Sequence, residues 1–425
     1  MTPAPAPAAS NARQWVIVFA ILLSIVTYID RVCISAAEQN MRKDLGLDKE
    51  AMGYVFSAFA LSYALFEIPS GWMGDSMGPR KVLTRIVLWW SFFTAATAWA
   101  WNFVSLWLIR FAFGMGEAGC FPNLTKAFTT WLPARERVRA QGITWMSARW
   151  GGAFTQPLVG LILAYLDWRT AFMIFGGLGV VWAFFFYRWF RDDPKTHPSV
   201  NEGERQVLAD VEPPSGHGNV PWAKFLASAP VWLLWLQYFC VSWGWYFYIT
   251  WLPTYLKENR GMDLKRSAIL AGLPLFFGGI GCLFAGILIP KVAQMIGSEQ
   301  KARRIVSVIG CFFAGALLIL STNLQDPTWA LIAISFASFS NDLQMPASWG
   351  ACMSIGGKYA GTLSGSMNMM GNLAGAVAPV AIPKILKWTN NDWSMTFYVS
   401  AFMYAIAVLV WLVLDTSKSI DQQSD

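Results

Sequence analysis

The chain has 425 residues; 55% are apolar, 16% aromatic and 13% charged. That charged share is about half of what a soluble domain carries. Apolar content on this scale excludes a soluble enzyme, a disulfide scaffold and a disordered chain, and makes a lipid bilayer the expected solvent. The net charge of +7 sits in short basic clusters between apolar runs, a pattern that argues against a nucleic acid partner.

Twelve apolar spans are predicted at about 15–36, 51–73, 82–101, 105–130, 138–164, 169–190, 230–256, 266–290, 303–322, 327–352, 358–385 and 393–415. The expected fold is all-α and integral to the membrane. Residues 1–190 form an N-terminal six-helix bundle and 230–425 a C-terminal one. Residues 191–229 form a cytoplasmic linker that carries Asp192, Asp193, Pro194, Pro213 and Pro214, with a short interfacial helix near 202–211. Loops on the side of the two termini hold twice the Lys and Arg of the opposite loops. This predicts a multi-pass inner-membrane protein with both termini cytoplasmic. The loop with Lys257, Arg260, Lys265 and Arg266 is the exception. The apolar run after the first fourteen residues is too long for a cleaved signal.

Motifs remove further classes. Six scattered cysteines without a C-x-x-C pair are expected to be free, buried thiols. The two histidines, His197 and His217, share one polar stretch, so no histidine-built metal site is expected. No phosphate-loop motif is present, so no direct use of ATP and no cofactor is expected.

The halves read as a parallel repeat. Gly142, Arg149, Gly152 and Pro157 in span five match Gly361, Asn368, Gly371 and Pro379 in span eleven, each with a polar residue seven positions after the first glycine. The glycine-rich end of span two at Gly71 likewise matches that of span eight at Gly286. Such repeats place a binding site between two halves at mid-membrane.

A charge at the bilayer centre costs at least about 2.5–3.5 kcal/mol, so it needs a partner or water. The first half holds Asp30, Arg31, Glu67, Arg110, Glu117 and Arg149; the second holds chiefly Asp342. Arg31 is read as an anion clamp with Tyr28 three residues earlier on the same face; a structural interhelix ion pair is the alternative. Asp30 and Glu117 are acids between burial and arginine, suited to carrying protons. The alternative is that Glu117 permanently neutralises Arg110, two turns away. Arg149 and Asn368 can hold two ends of one substrate, unless Arg149 pairs with Glu117 or Glu67. Span seven offers Gln237 and a run of aromatics that packing or an interfacial belt also explains. Pro346 implies a break in span ten near the candidates Ser348 and Trp349. Tyr63 can donate to substrate, and Glu67 is as well suited to a gate. Asp75, just past span two, can sit at a neighbouring helix N-terminus and close one state; Arg80 and Arg110 join it as gating candidates. Lys126 receives no role.

These residues resemble the major facilitator superfamily. Gly71-Trp72-Met73-Gly74-Asp75-Ser76-Met77-Gly78-Pro79-Arg80-Lys81 is similar to its signature loop. Tyr28-Ile29-Asp30-Arg31, Ile68-Pro69-Ser70-Gly71-Trp72, Gly116-Glu117-Ala118 and Trp131-Leu132-Pro133-Ala134-Arg135-Glu136-Arg137 resemble its anion:cation symporter family, nearest the bacterial galactonate-type proton symporters. The resemblance implies Asp30 and Glu117 as protonation sites and Arg31, Tyr28 and Tyr63 as substrate contacts. It maps further substrate positions onto Arg149, Gln237, Ser348, Trp349 and Asn368. Arg149 stands where galactonate-like members have glutamine, which favours a more acidic or differently shaped sugar acid. The expected protein is no enzyme. It is a monomeric, proton-coupled symporter of a small organic anion (a hexuronate, aldonate or aldarate) working by alternating access. Exchange or facilitated diffusion on the same fold is the first alternative, and a transporter-like sensor the second.

Overall fold

The computed structural model describes residues 8–163, 165–209, 211, 220–262, 270, 272–417 and 419–420, and these are mostly helical with no strand among them. The expected start of span eight with Lys265 and Arg266, and the linker residues Pro213, Pro214 and His217, lie outside the described residues. In chain order the helices are α1 Ala12–Leu45, α2 Lys49–Met77, α3 Pro79–Ala96, α4 Phe103–Glu117, α5 Cys120–Trp131, α6 Ala134–Leu163 and α7 Trp168–Trp189. The short α8 Glu202–Val207 and α9 Trp222–Ala227 follow. Then come α10 Ala229–Thr250, α11 Leu252–Glu258, α12 Gly272–Ile296, α13 Glu299–Asn323, α14 Pro327–Asp342, α15 Met345–Gly356, α16 Ala360–Trp388 and α17 Trp393–Val413.

Helix starts are set by side-chain caps. Asp48, Asn102, Asp167, Ser298, Asp326 and Asp392 each accept a first-turn backbone N–H. Among the described residues, three of the expected spans are broken rods. Span four divides into α4 and α5 at Ala118–Gly119, where Gly119 adopts φ +85°, a left-handed value that favours glycine. Span seven divides at Trp251. Span ten divides at Leu343–Gln344, just ahead of Pro346. Pro69 and Pro290 lie inside unbroken α2 and α12, so proline alone does not decide a break.

Seven stretches among the described residues are long and apolar enough, by length and composition, to cross a bilayer. Large apolar side chains such as Phe92, Leu161, Phe184, Phe312 and Leu409 stand exposed on the helices, as a surface solvated by acyl chains requires. All six thiols are free and buried.

The helices form two compact units. Unit 1 comprises Met1–Ala140, Thr155–Val220 and Gly356–Gly365; unit 2 comprises Gln141–Phe154, Pro221–Ile355 and Ser366–Asp425. Two long helices are therefore shared. Residues 141–154 of α6 pack within unit 2, where Gly142 abuts the backbone of Cys282 and Gly286. The first turn of α16 packs within unit 1, where Gly361 abuts Gly71. A side chain at either glycine would overlap backbone, so the glycines allow these close approaches. Unit 1 is further held by a core of Ile29, Cys33, Met41, Val55, Leu106, Trp168, Phe172 and Phe175.

Candidate functional site

In unit 1, α1 and the end of α4 bring two acids and two arginines together. Arg31 donates from Nε to Glu117 Oε1 at 3.0 Å, and its Nη2 meets the same oxygen. Three rings flank the guanidinium: Tyr63 at 4.9 Å, Phe59 at 5.2 Å and Tyr28 at 5.3 Å from their centroids. The pair is unequally placed. Arg31's side chain retains 22% exposure while Glu117's retains 1%. Glu117 Oε2 has no hydrogen-bond partner among the described residues. Asp30 is fully buried beside the Trp90 indole and within electrostatic reach of Glu117 and Arg110. Arg110 lies over Phe113 at 4.2 Å and belongs to this buried cluster. Tyr28, Asp30, Arg31, Tyr63, Arg110 and Glu117 thus share one neighbourhood. The formal charges of these six sum to zero, and Glu67, also buried, lies within electrostatic reach of Tyr63.

Unit 2 holds a second pair. Arg149 on α6 donates from Nε to Asp342 Oδ2 at 2.8 Å and from Nη2 to Oδ1 at 3.2 Å. Within unit 2 the ion-pair partner of Arg149 is Asp342, a residue outside the two alternatives of Glu117 and Glu67. Trp245 lies over the guanidinium at 4.5 Å, with Trp145 at 5.8 Å. Trp145 packs on Trp349 at 5.2 Å, and Trp349 Nε1 donates to the Tyr238 hydroxyl at 3.1 Å. Gln237 Nε2 donates to Ser348 Oγ at 3.0 Å. Asn368 is buried one turn before Asn372, which donates to its carbonyl at 2.9 Å. The broken helix α14–α15 therefore carries Asp342, Ser348 and Trp349 on either side of its break.

The gating candidates separate. Asp75 sits at the N-terminus of α16, accepting from Gly361 N at 3.1 Å and from Thr362 N and Oγ1 at 2.7 Å each. An acid at this end of a helix meets unsatisfied N–H groups and the positive end of the dipole. Lys126, given no role from sequence, completes this cluster: its Nζ lies 3.3 Å from Asp75 and donates to Lys358 O at 2.7 Å. Arg80 instead donates its side chain to Tyr187 O at 2.7 and 3.2 Å, and its backbone N–H to Asp192 Oδ1 at 2.8 Å. Burial pushes the Asp192 carboxyl above its ordinary range. Asp342, Lys126 and Asp192 were the partners missed. Asp342 had a sequence signal: like Glu117, it precedes a proline of its own broken span, at Pro346 and Pro122.

Membrane-length helices in two units, with a buried ion pair inside each, fit a membrane transporter. The sequence profile of the Major Facilitator Superfamily matches residues 20–379, and the chain belongs to that family. It is 36% identical to a probable sulfoacetate transporter of Cupriavidus necator, over 98% of this chain and 96% of that one. It is 30% identical to a probable galactarate/D-glucarate transporter of Escherichia coli, over 95% and 94%. Its fold is similar to that of the proton:xylose symporter XylE, with TM-score 0.78 and 13% identity over 97% and 98% of the two chains. The fucose:proton symporter of E. coli gives TM-score 0.72 and 14% identity over 94% and 98%.

Proposed function

We propose that the chain is a proton-coupled symporter that imports an organic anion of the sugar-acid class. The observation that carries this reading is the asymmetry of the Arg31–Glu117 pair, in which the arginine alone keeps exposed surface. An incoming carboxylate competes with Glu117 for the guanidinium, a fork suited to oxyanions and charged at every working pH. Glu117 is the last residue of α4, where the negative end of the helix dipole disfavours its charge. Once its arginine is taken, it binds a proton in place of the lost cation. Asp30, fully buried, is the second proton carrier. The relatives named for sulfoacetate and for galactarate/D-glucarate support an organic anion as cargo.

The test is uptake into proteoliposomes driven by an inward acid gradient. Asp30→Asn with Glu117→Gln is expected to abolish accumulation against the anion gradient while leaving exchange of external for internal anion. Accumulation undiminished in that variant removes the coupling assignment, and wild-type uptake indifferent to the gradient favours an exchanger.

A further inference from the structure

The linker segment 191–208 has no part in the proton cycle of Arg31, Asp30 and Glu117. It belongs to unit 1 and ties the ends of that unit's helices together. Arg80 N, at the start of α3, donates to Asp192 Oδ1 at 2.8 Å, and Trp131 Nε1, at the end of α5, donates to Arg191 O at 2.7 Å. Glu204 of α8 is fully buried and accepts from Asn11 N at 2.9 Å, from Arg13 N at 3.1 Å and from the Arg13 guanidinium. That guanidinium also donates to Glu136 on α6 at 2.9 Å. Between these anchors His197 is 4% exposed, with its ring 4.6 Å from that of Trp189 on α7 and 5.4 Å from that of Trp131. Its two nitrogens are committed in opposite senses. Nε2 donates to Trp189 O at 2.9 Å and must carry a hydrogen, whereas Nδ1 accepts from Ser199 N at 3.1 Å and must be bare. One neutral tautomer meets both demands. A proton added at Nδ1 sets one N–H against another, and the Ser199 contact is lost.

We propose that His197 is a pH-sensitive latch: a proton at Nδ1 frees the linker from the helix ends of unit 1 and slows the carrier. The slowing rests on the symporter reading; the release does not. The indole faces attract an imidazolium. Burial is the larger influence and lowers the ring's basicity; the Trp189 carbonyl works against it and Arg191 adds to it. The other charges on the surrounding elements are engaged elsewhere. Arg13 holds Glu136 and Glu204, Arg137 donates to Leu132 O and Thr129 O, Lys126 holds Asp75, and Arg188 lies over Phe184. In the linker Asp192 accepts from Arg80 N and Asp193 from Lys195 N. No acid therefore stands ready to hold an imidazolium in the docked linker. Docking is strongest with the ring neutral and weakens as pH falls below about 6.5, the value of a free histidine. Alternating access is largely rigid-body rocking, and a bundle with loosened helix ends transmits less of it. A symporter releases its protons where it releases its cargo. With the linker on that side, as the basic loops predict, acid accumulating there acts as a brake.

Hydrogen exchange of the full chain in lipid nanodiscs tests the release, at about pH 7.5 and 5.5, on either side of the free histidine value. With each amide corrected for its intrinsic rate, protection of residues 196–207 should fall by up to about tenfold, the ratio by which protonation of the freed ring favours release over that interval. Helix α3 should keep its protection, and His197→Gln, which cannot gain the charge, should protect the linker equally at both pH values. Unchanged wild-type protection, a matching loss in α3, or an equal fall in His197→Gln overturns the latch. Equilibrium anion exchange in proteoliposomes, with one pH on both sides, tests the slowing. The wild-type rate divided by that of His197→Gln should drop severalfold between the two pH values, and a constant ratio overturns the slowing. Asp30 and Glu117 are present in both chains and cancel in that ratio. Failure of the coupling assignment shows elsewhere, as wild-type uptake indifferent to an acid gradient.

Discussion

Glu117→Gln isolates the competition at Arg31. In the resting pair Arg31 commits Nε and Nη2 to one oxygen of Glu117, and these contacts must break before an anion can use the same donors. Hydrogen bonds to charged groups are worth about 1.5–3 kcal/mol each in net terms, and the incoming anion restores most of what is lost. The substituted glutamine would still accept from Arg31, but as a neutral amide it holds the guanidinium less tightly. The competitor is therefore weakened by about 1.5–3 kcal/mol, which tightens anion binding roughly ten- to a hundredfold. An amide also cannot exchange a proton, so the affinity loses the part of its pH dependence that Glu117 supplies. The chain's 24 tryptophans provide an intrinsic fluorescence signal for titrating the anion between about pH 5.5 and 8. The expected outcome is a lower Kd, a flatter pH profile and loss of uphill transport. A variant that binds more weakly and keeps the wild-type pH profile would show that Glu117 helps hold the cargo and does not compete with it.

The remaining predictions concern the frame. Asp75→Ala strands Lys126 and removes the acceptor of three α16 groups, so it should lower stability by about 3–5 kcal/mol; in thermal unfolding, Asp75→Asn should fall between it and the wild type, and Lys126→Met should partly rescue Asp75→Ala. Gly361→Ala places a methyl 2.8 Å from Gly71 O and 2.9 Å from Asp75 Oδ1, which should cost about 1–3 kcal/mol of overpacking; a variant melting with the wild type would refute the close approach. His197, buried between Trp131 and Trp189, contacts Trp189 O through Nε2 at 2.9 Å and accepts from Ser199 N at Nδ1 at 3.1 Å. Burial is the main reason its basicity falls below the ordinary histidine value. The unfolded chain then binds the proton more readily, so the histidine's contribution to stability is full above about pH 6.5 and shrinks as pH falls below it. The difference between wild type and His197→Gln in melting scans from about pH 7 to 5 should shrink accordingly, and a constant difference would refute it.

What the sequence could reveal follows from which forces are local. Apolar runs of membrane length locate the rods because each run must be solvated by lipid whatever its neighbours do. The break in span ten was readable because Asn341, Asp342, Gln344 and Pro346 crowd four polar or helix-breaking residues into six positions. In span four only Pro122 points to a break, and the break itself is made by one left-handed glycine, a residue type common throughout this chain. α5 starts afresh at Cys120 and carries Lys126 to Asp75, a partner that spacing from Glu117 along one straight helix does not give. The ion pairs were unreadable for another reason. Arg31 and Glu117 are separated by 86 positions and Arg149 and Asp342 by 193, so nothing local specifies either partner. The energetic cost of a buried charge identified the residues that need partners, and only the packed units identify which partners they have.

Stability does not explain why this chain keeps two buried ion pairs. Replacing such a pair by apolar residues of similar volume is often neutral or stabilising by about 1–4 kcal/mol. Both acids, moreover, stand at the carboxyl ends of broken helices, the least favourable helical position for a negative charge. Selection for a rigid interior would remove them. A cycle in which an arginine alternates between two anions, one resident and one in transit, needs such a placement. The resident must hold the arginine when no cargo is present, yet yield it without a large penalty. A carboxylate opposed by the helix dipole does both, because its arginine stabilises it and a proton can replace that arginine. On this argument, moving the acid one turn toward the start of its helix, as in Phe113→Glu with Glu117→Ala, should yield a pair that gives up its arginine less readily, so that the anion binds more weakly in a tryptophan-fluorescence titration and uphill transport is lost; wild-type affinity in that variant would refute it.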